Sequence, residues 1–463
     1  MRSRSASGAP RGPRRTSATS PSLGSGEPSD ARRSSVGLLA VSMESPAIRG
    51  PRGPGIHRAE AWGVTSEPWT DPAQHESVPC SLCDRDPDDA IVVGTRARFG
   101  MDVRNVACRG CGLVRVNPRP CPEAMDAYYR GPYRAQYRTV KLPVPGGGRF
   151  VGPDDEGYAE ARAARYQSQA QVALRLGDLT AGQRVLEVGC RDGQTLMHML
   201  RLGGVEVFGV EPGPEEAAQA IARGVDVFVG LLEEYAPSED ERFDQVQMFH
   251  VLEHLHEPLA ALTRLASWLK PGGTLLIEVP NVTQPYGALE GNFFQNAHLT
   301  SFGANTLAAM FARAGLAPQK MADGGSLFMT GTPDATPGET LPRPFAHAML
   351  PDPGQGGDWI AERLDTYRHV QRVKEEILSG HVSMDRLGVL TQMLRRPGFA
   401  VHTRESVEAL LDVFSRAGAP RAALALATAV VEGPHPAALK HQCQRLIELC
   451  HARLAGSEGI ART

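Results

Sequence analysis

"RVLEVGCRDG", Arg184 to Gly193, is an apolar run of strand length ending in a glycine turn, and the helical pattern "QTLMHMLRL" follows it at once. Working outward, the same rhythm repeats. "EVFGVEP" reads as a strand, "EEAAQAIARG" as a helix closed by Gly224, and "VDVFVG" and "FDQVQMFH" as further strands. A helix through "LAALTRLASWLK" and a strand in "GGTLLIEVPN" continue it, and "PQKMADGG" with "SLFMTGTP" reads as a terminal antiparallel hairpin. Short apolar runs alternating with helical periods predict a doubly wound α/β sheet of Rossmann-like type. Ligands are then expected at the carboxyl ends of the strands.

The turn itself is suited to a ligand. Gly189 and Gly193 allow close approach to the backbone, Cys190 lies between them, and Glu187 sets an acid beside the turn. Eighteen residues beyond Gly193, Glu211 ends the second strand, where a carboxylate can accept both ribose hydroxyls of an adenosyl ligand. A nicotinamide enzyme would want G-x-G-x-x-G facing a pyrophosphate; the acid-first pattern here suits a ligand without phosphates.

Together with "VFGVEP", "FDQVQMFHVLEHLHEP", "LKPGGTLLIEVPN" and "HLTSFGANTLAAMFARAGL", the opening stretch resembles the class I S-adenosylmethionine-dependent methyltransferases. The upstream C-x-x-C pairs with "CGLVRVNPRP" resemble the zinc-bearing N-terminal part of a subgroup that includes sugar C-methyltransferases. The resemblance spans roughly residues 78–330 and implies a seven-stranded methyltransferase sheet. It also implies roles position by position. Glu187, Gly189 and Gly193 match the first cofactor motif and Glu211 the ribose-binding acid; Leu231 and Leu232 would flank the adenine, and Phe249 and His250 would lie beside the methionine and sulfonium part. The family usually has glycine where this chain has Arg191, which implies weaker binding or a shifted turn.

Next to that edge, "HVLEHLHEP" (His250 to Pro258) packs three histidines and two carboxylates into nine residues. If it makes a helical turn, residues 250, 253, 254 and 257 share a face, and His256 and Glu257 are expected to face solvent. Three readings stand side by side. Glu253 and His254 can simply brace the loop. A neutral His250 or His298 can take the acceptor's proton. Or His250, Glu253, His254 and His298 can hold a metal ion, a constellation that resembles the divalent-metal site of small-RNA 3′-end ribose methyltransferases.

"CSLC" (Cys80, Cys83) and "CRGC" (Cys108, Cys111) are two knuckles with 24 residues between them, enough for a hairpin. Gly112 falls where a knuckle must turn tightly. Four thiolates with no open position predict a structural Zn2+ ribbon. Cys121, Cys190, Cys443 and Cys450 read as ordinary thiols, and Tyr128, Tyr129, Tyr133 and Tyr137 as either a lid or packing between ribbon and main domain.

Residues 1–60 hold ten Arg, no Lys and four acids, a net of +6 that leaves −9 for the other 403. With 27 Gly, Pro or Ser they form a segment that cannot bury enough apolar surface to order itself. It reads as a nonspecific tail or as an extension ahead of a start at Met43, in preference to a transit peptide. "VGLLAV" is too short to span a bilayer, the acidic remainder argues against nucleic acid, and a cytoplasmic protein is expected.

The domains expected are a leader over 1–75, ribbon and linker over 76–150, the methyltransferase domain over 151–335 and an α-helical extension over 336–463. The extension carries one tetratricopeptide-like cadence and is read as a surface for a protein partner or self-association. The function expected is methyl transfer from S-adenosylmethionine to a small-molecule acceptor, a sugar or another natural-product intermediate. The alternative is a non-catalytic cofactor-binding and zinc scaffold, for which Arg191 is the only support.

Overall fold

A strand buried on both faces of a parallel sheet must be apolar at nearly every position, because successive side chains alternate between the two faces. The runs in the central part of the chain meet that condition, and a computed structural model shows them paired. It describes residues 71–130, 142–143, 150–285, 288–322, 326–333, 355–378, 388, 391–392, 395, 420–433 and 437–460. The Arg-rich leader through residue 70, Tyr133, Tyr137 and much of the expected α-helical extension lie outside the described residues.

Strands β1 (His75–Glu76), β2 (Ala90–Arg96), β3 (Asp102–Cys108), β4 (Val114–Val116) and β5 (Arg119–Pro120) precede helix α1 (Pro122–Arg130). A short pair, β6 (Leu142–Pro143) and β7 (Phe150–Val151), leads to α2 (Tyr158–Leu176). Then come β8 (Arg184–Val188), α3 (Gln194–Gly203), β9 (Glu206–Glu211), α4 (Pro214–Ala222) and β10 (Asp226–Val229). They are followed by β11 (Phe243–Phe249), α5 (Pro258–Ser267), β12 (Leu269–Pro280) and β13 (Thr300–Ser301). Helix α6 (Ala304–Arg313) precedes the hairpin of β14 (Leu316–Ala322) and β15 (Ser326–Pro333). Beyond it lie α7 (Gly356–Leu378), α8 (Pro420–Glu432) and α9 (Ala437–Ile460).

The main sheet has seven strands in the order β10-β9-β8-β11-β12-β15-β14. β10, β9, β8, β11 and β12 run parallel, and the hairpin is antiparallel, as expected from its sequence. Strand alternation sorts the core into two layers. Val185 and Leu276 pack with Ala170, Ala173, Leu196 and Met199 of α2 and α3. Leu186, Leu275 and Ile277 pack on the opposite face with Leu262, Leu265, Leu307 and Phe311 of α5 and α6. Helices on both faces make this the doubly wound architecture.

The ribbon hairpin forms between β2 and β3, within a four-stranded sheet of order β13-β4-β3-β2. That sheet crosses the expected boundary at residue 150, because β13 pairs antiparallel with β4. Its knuckles also join the main core: Cys80, Cys108, Cys111 and Leu113 pack in the same cluster as Leu307 and Phe311. Gly112 has φ +76°, the left-handed turn a knuckle needs. Helix α7 lies within the expected α-helical extension, but it docks on the ribbon. Gly357 N–H donates to Arg109 O at 3.1 Å, and a Cβ on Gly356 would lie 2.5 Å from the Cys111 carbonyl carbon. Ile360 and Leu364 are buried against Val93, Val103 and Phe294. Among the described residues no helix is long and apolar enough to cross a membrane.

Ile277 is fully buried on β12 beside Met248 and Met329. Ile277→Ala is expected to cost about 2–5 kcal/mol in urea unfolding, through lost burial and the cavity left behind. A loss below 1 kcal/mol, by the same scale, would mean that this strand is not central to the core.

Candidate functional site

Parallel pairing sets the site's geometry before any side chain is considered. Val188 on β8 is level with Val210 on β9 and Met248 on β11, and Phe249 is level with Glu278 on β12. The residues just beyond these, Gly189, Glu211 and His250, therefore leave the sheet at one edge.

Gly189 and Gly193 both take left-handed backbone, at φ +76° and +73°. Space is tight as well: a Cβ on Gly189 would lie 2.6 Å from Val251 Cγ2. Arg191 sits at φ +51°, so it adopts the conformation glycine usually supplies there. Its N–H donates to Glu211 Oε2 at 2.9 Å, and Gly213 N–H donates to Oε1 at 2.8 Å. Burial pushes the Glu211 pKa up, and these two N–H groups pull against it. Each carboxylate oxygen keeps a further lone pair for a hydroxyl, so the donor set fits a ribose.

Glu187, 4% exposed, accepts from Gln247 Nε2 at 2.9 Å, and burial lifts its pKa to about 8. The Cys190 thiol is buried under Gly209, whose Cβ would lie 2.4 Å from Sγ, so only the backbone of Cys190 is presented at the turn. Leu232 is 6% exposed and belongs to the core; Leu231 is 43% exposed. The Phe249 ring lies against Phe328 with centroids 6.5 Å apart. Asp192 anchors the turn to two helices: its Oδ2 receives Arg162 at 2.8 Å from α2 and Gln194 at 2.7 Å from α3.

The histidine cluster assembles around Glu253. A 3-10 turn, Leu252–His254, replaces the helical face expected from spacing. His250, at φ +54°, lies between two buried carboxylates, with Nδ1 3.3 Å from Glu253 Oε1 and Nε2 3.1 Å from Glu278 Oε1. Burial opposes its charge, yet Glu278 and Glu253 outweigh it and hold its pKa up at about 9. Burial likewise works against Glu278, but His250 draws its pKa down to about 2. Both His250 nitrogens thus face a carboxylate oxygen.

His254 Nδ1 lies 2.9 Å from Ala297 O and 3.2 Å from the Tyr129 hydroxyl. His298 Nε2 lies 4.0 Å from Glu253 Oε1, and its ring stands edge-on to His254 at 4.8 Å. Burial lowers the pKa of both, that of His298 strongly. Glu257 is exposed as expected, although Arg119 reaches it; His256, also expected in solvent, is half-buried and tied to the ribbon. His256 Nε2 donates to Pro120 O at 3.1 Å, and Arg119 bonds the His256 carbonyl and Glu257. Arg119 is 9% exposed, and burying a guanidinium demands such partners.

Glu278 and Arg119 were not singled out from sequence. The signal for Glu278 was present, since an acid inside "TLLIEVP" must be buried and therefore paired. Nothing local marked Arg119.

Cys80 and Cys111 Sγ are 3.5 Å apart and Cys83 and Cys108 Sγ 3.4 Å, too far for disulfides. All four lie within 4.8 Å of one another, close to the spacing around one tetrahedral ion with bonds of about 2.3 Å.

Residues 158–321 match a family model described as a methyltransferase domain, in agreement with the motifs. Over 126 residues the chain is 38% identical to the ubiquinone biosynthesis O-methyltransferase of Xanthomonas campestris pv. campestris (strain B100), covering 26% of this chain and 50% of that protein. The protein of that name from Xanthomonas oryzae pv. oryzae (strain PXO99A) is 38% identical over 124 residues, 26% of this chain and 51% of that one. The chain thus spans about half the length of these relatives. A solved structure, the 1,6-didemethyltoxoflavin-N1-methyltransferase of Burkholderia thailandensis, is 20% identical with a TM-score of 0.35, covering 48% of this chain and 96% of that one.

Left-handed backbone costs a non-glycine residue about 1–2 kcal/mol. Arg191→Gly relieves that cost against a larger loss of chain entropy, so a net gain of about 0.5–1 kcal/mol in urea unfolding is expected. A destabilised Arg191→Gly variant would show that the arginine side chain holds the turn.

Proposed function

We propose that the protein transfers a methyl group from S-adenosylmethionine to a small-molecule acceptor, a sugar or another natural-product intermediate. The observation that carries this reading is the Glu211 carboxylate, fixed by two backbone N–H groups beside a turn with two left-handed glycines. When bound, S-adenosylmethionine supplies an electrophilic methyl group on a sulfonium.

The chain's own residues have three tasks. Glu211 binds the ribose hydroxyls, with Leu232 and Leu231 beside the adenine. The turn from Gly189 to Gly193, with Cys190 contributing backbone, lets the ligand approach, and Glu187 braces it from below. Phe249 and His250 border the reacting end. Displacement at a methyl carbon is in line, so orientation of the acceptor supplies much of the rate. His250 is a brace and not a base, since both its nitrogens are engaged. Glu253, His254 and His298 are the groups that meet the acceptor. Arg191, the one residue that favoured a dead pocket, keeps a glycine-like turn and still donates to Glu211.

The four cysteines hold one structural Zn2+, and α8 and α9 serve a protein partner or self-association. The protein acts in the cytoplasm.

Calorimetric titration with S-adenosylmethionine is expected to show binding that weakens about ten- to a hundredfold in Glu211→Ala, about 1.4–2.8 kcal/mol. Equal affinity in the variant would remove the ribose assignment, and no binding by the wild type would remove the function. Elemental analysis is expected to find one zinc per chain, lost in Cys80→Ser/Cys83→Ser; zinc content unchanged by the double substitution would exclude the ribbon site.

A further inference from the structure

We propose that helix α7 is a strap over the loop between β12 and β13, with Arg363 and Arg368 as positioning residues for the acceptor side of the site. The loop leaves the sheet at the end of β12, where Glu278 is level with Phe249. It comes back through His298, whose ring centroid stands 4.8 Å from that of His254. Both of its ends thus lie at the edge where ligands of a doubly wound sheet bind. That the loop borders an acceptor rests on the methyl-transfer reading; that α7 holds it does not.

The holding face of α7 is written at helical spacing. Gly356 and Gly357, Ile360, Arg363 and Leu364, then Tyr367 and Arg368 recur every three or four residues, so they share one face. The glycine end lies against the second knuckle, where Gly356 N–H donates to Gly110 O at 3.3 Å beside the bond from Gly357 to Arg109. Ile360 and Leu364 are buried in the cluster that contains Leu289, Phe293, Phe294 and Ala297 of the loop. The two arginines reach polar atoms of the loop on either side of that apolar contact.

Thr283 is 6% exposed and closes an Asx turn, in which its N–H and its hydroxyl donate to Asn281 Oδ1 at 3.0 and 2.7 Å. Its carbonyl receives Arg363 through both Nε, at 2.8 Å, and Nη2. A buried carbonyl needs a donor, and a guanidinium fork supplies two at once. Arg368, its side chain 18% exposed, donates from Nε to Glu290 Oε1 at 2.8 Å and from Nη2 to Val93 O. It thereby ties the loop to β2 as well. Gly94 of β2 is bare at that point: a Cβ there would lie 2.8 Å from the Phe294 ring and 3.7 Å from Arg368 Nη2.

The cofactor turn is anchored separately, by Arg162 and Gln194 on Asp192. Release of α7 therefore loosens the acceptor side while the turn and Glu211 stay in place. The C-terminal extension can in this way tune how an acceptor is held without altering cofactor affinity. Arg98 holds the loop too, through Asn292 O at 2.6 Å and Phe294 O at 2.7 Å, which confines the loosening to a local opening.

Hydrogen–deuterium exchange of the full-length protein, read by mass spectrometry without cofactor or acceptor, tests the strap. In Arg363→Ala/Arg368→Ala, peptides over 281–285 and 288–298 are expected to exchange at least about tenfold faster, while β8 and β11 keep the wild-type rate. Arg363→Lys/Arg368→Lys keeps a donor for each partner and is expected to restore most of the protection. Calorimetry is expected to give both variants the wild-type affinity for S-adenosylmethionine. Unchanged exchange over the two segments overturns the proposal, as does a lysine pair that protects no better than alanine. Cofactor affinity that falls in the alanine pair as far as in Glu211→Ala overturns it too. If the alanine pair does not fold by circular dichroism, Glu290→Ala, at a side chain 38% exposed, decides. Faster exchange over 288–298 then supports the strap, and an unchanged rate overturns it. Exchange is read in the ligand-free protein, so failure of the strap and failure of methyl transfer are separate results.

Discussion

The register of four parallel strands is the constraint on which the site depends. Glu187 pairs level with Gly209 and Gln247, and Phe249 with Glu278, so the ends of β8, β9, β11 and β12 stop at a common height. A one-residue slip would turn every side chain on a strand to the opposite face. The apolar layers on both sides forbid it, since Leu186 and Ile277 belong to one layer and Val185 and Leu276 to the other. Packing of the core thereby fixes the positions of the glycine turn, Glu211 and the histidine cluster, with Cys190 and Leu252 anchoring the turn and the cluster in it.

Holding the site costs stability. Glu187, Asp192, Glu211, Glu253 and Glu278 are all less than 9% exposed and gather at one sheet edge. Buried carboxylates are expensive unless paired or neutralised, and the chain uses a different remedy for each. Backbone N–H groups cap Glu211, Arg162 meets Asp192, His250 meets Glu278, and Glu187 has its pKa lifted by burial. Among these five, Glu253 at Oε2 and Asp192 at Oδ1 retain an oxygen with no hydrogen-bond partner. The strained φ of His250 and Arg191 falls in the same few residues, as is common where a fold is bent to serve a site.

Features carried by local pattern were legible in the sequence. The strands and helices from Arg184 to Pro333 follow from the period of the apolar residues, and the hairpin between the knuckles from their spacing. Gathering of His250, Glu253, His254 and His298 followed from their places at neighbouring strand ends, although a 3-10 turn, and not a helical face, brings the first three together. Features that depend on distant pairing were not legible. β13 adds to the ribbon sheet across more than 180 residues, α7 covers a knuckle some 245 residues away, and Arg119 reaches His256 and Glu257. No periodicity encodes such contacts.

Those distant contacts also join the ribbon to the chemistry. Tyr129 of α1 places its hydroxyl on His254, and Tyr128 accepts from Asn296, two residues before His298. Arg119 locks the loop that follows the cluster, and α7 covers the knuckle that carries Cys108 and Cys111. His254 and the segment leading to His298 are thus held by residues of α1. In that arrangement α1 and the segment before it brace the histidine cluster from outside the main sheet.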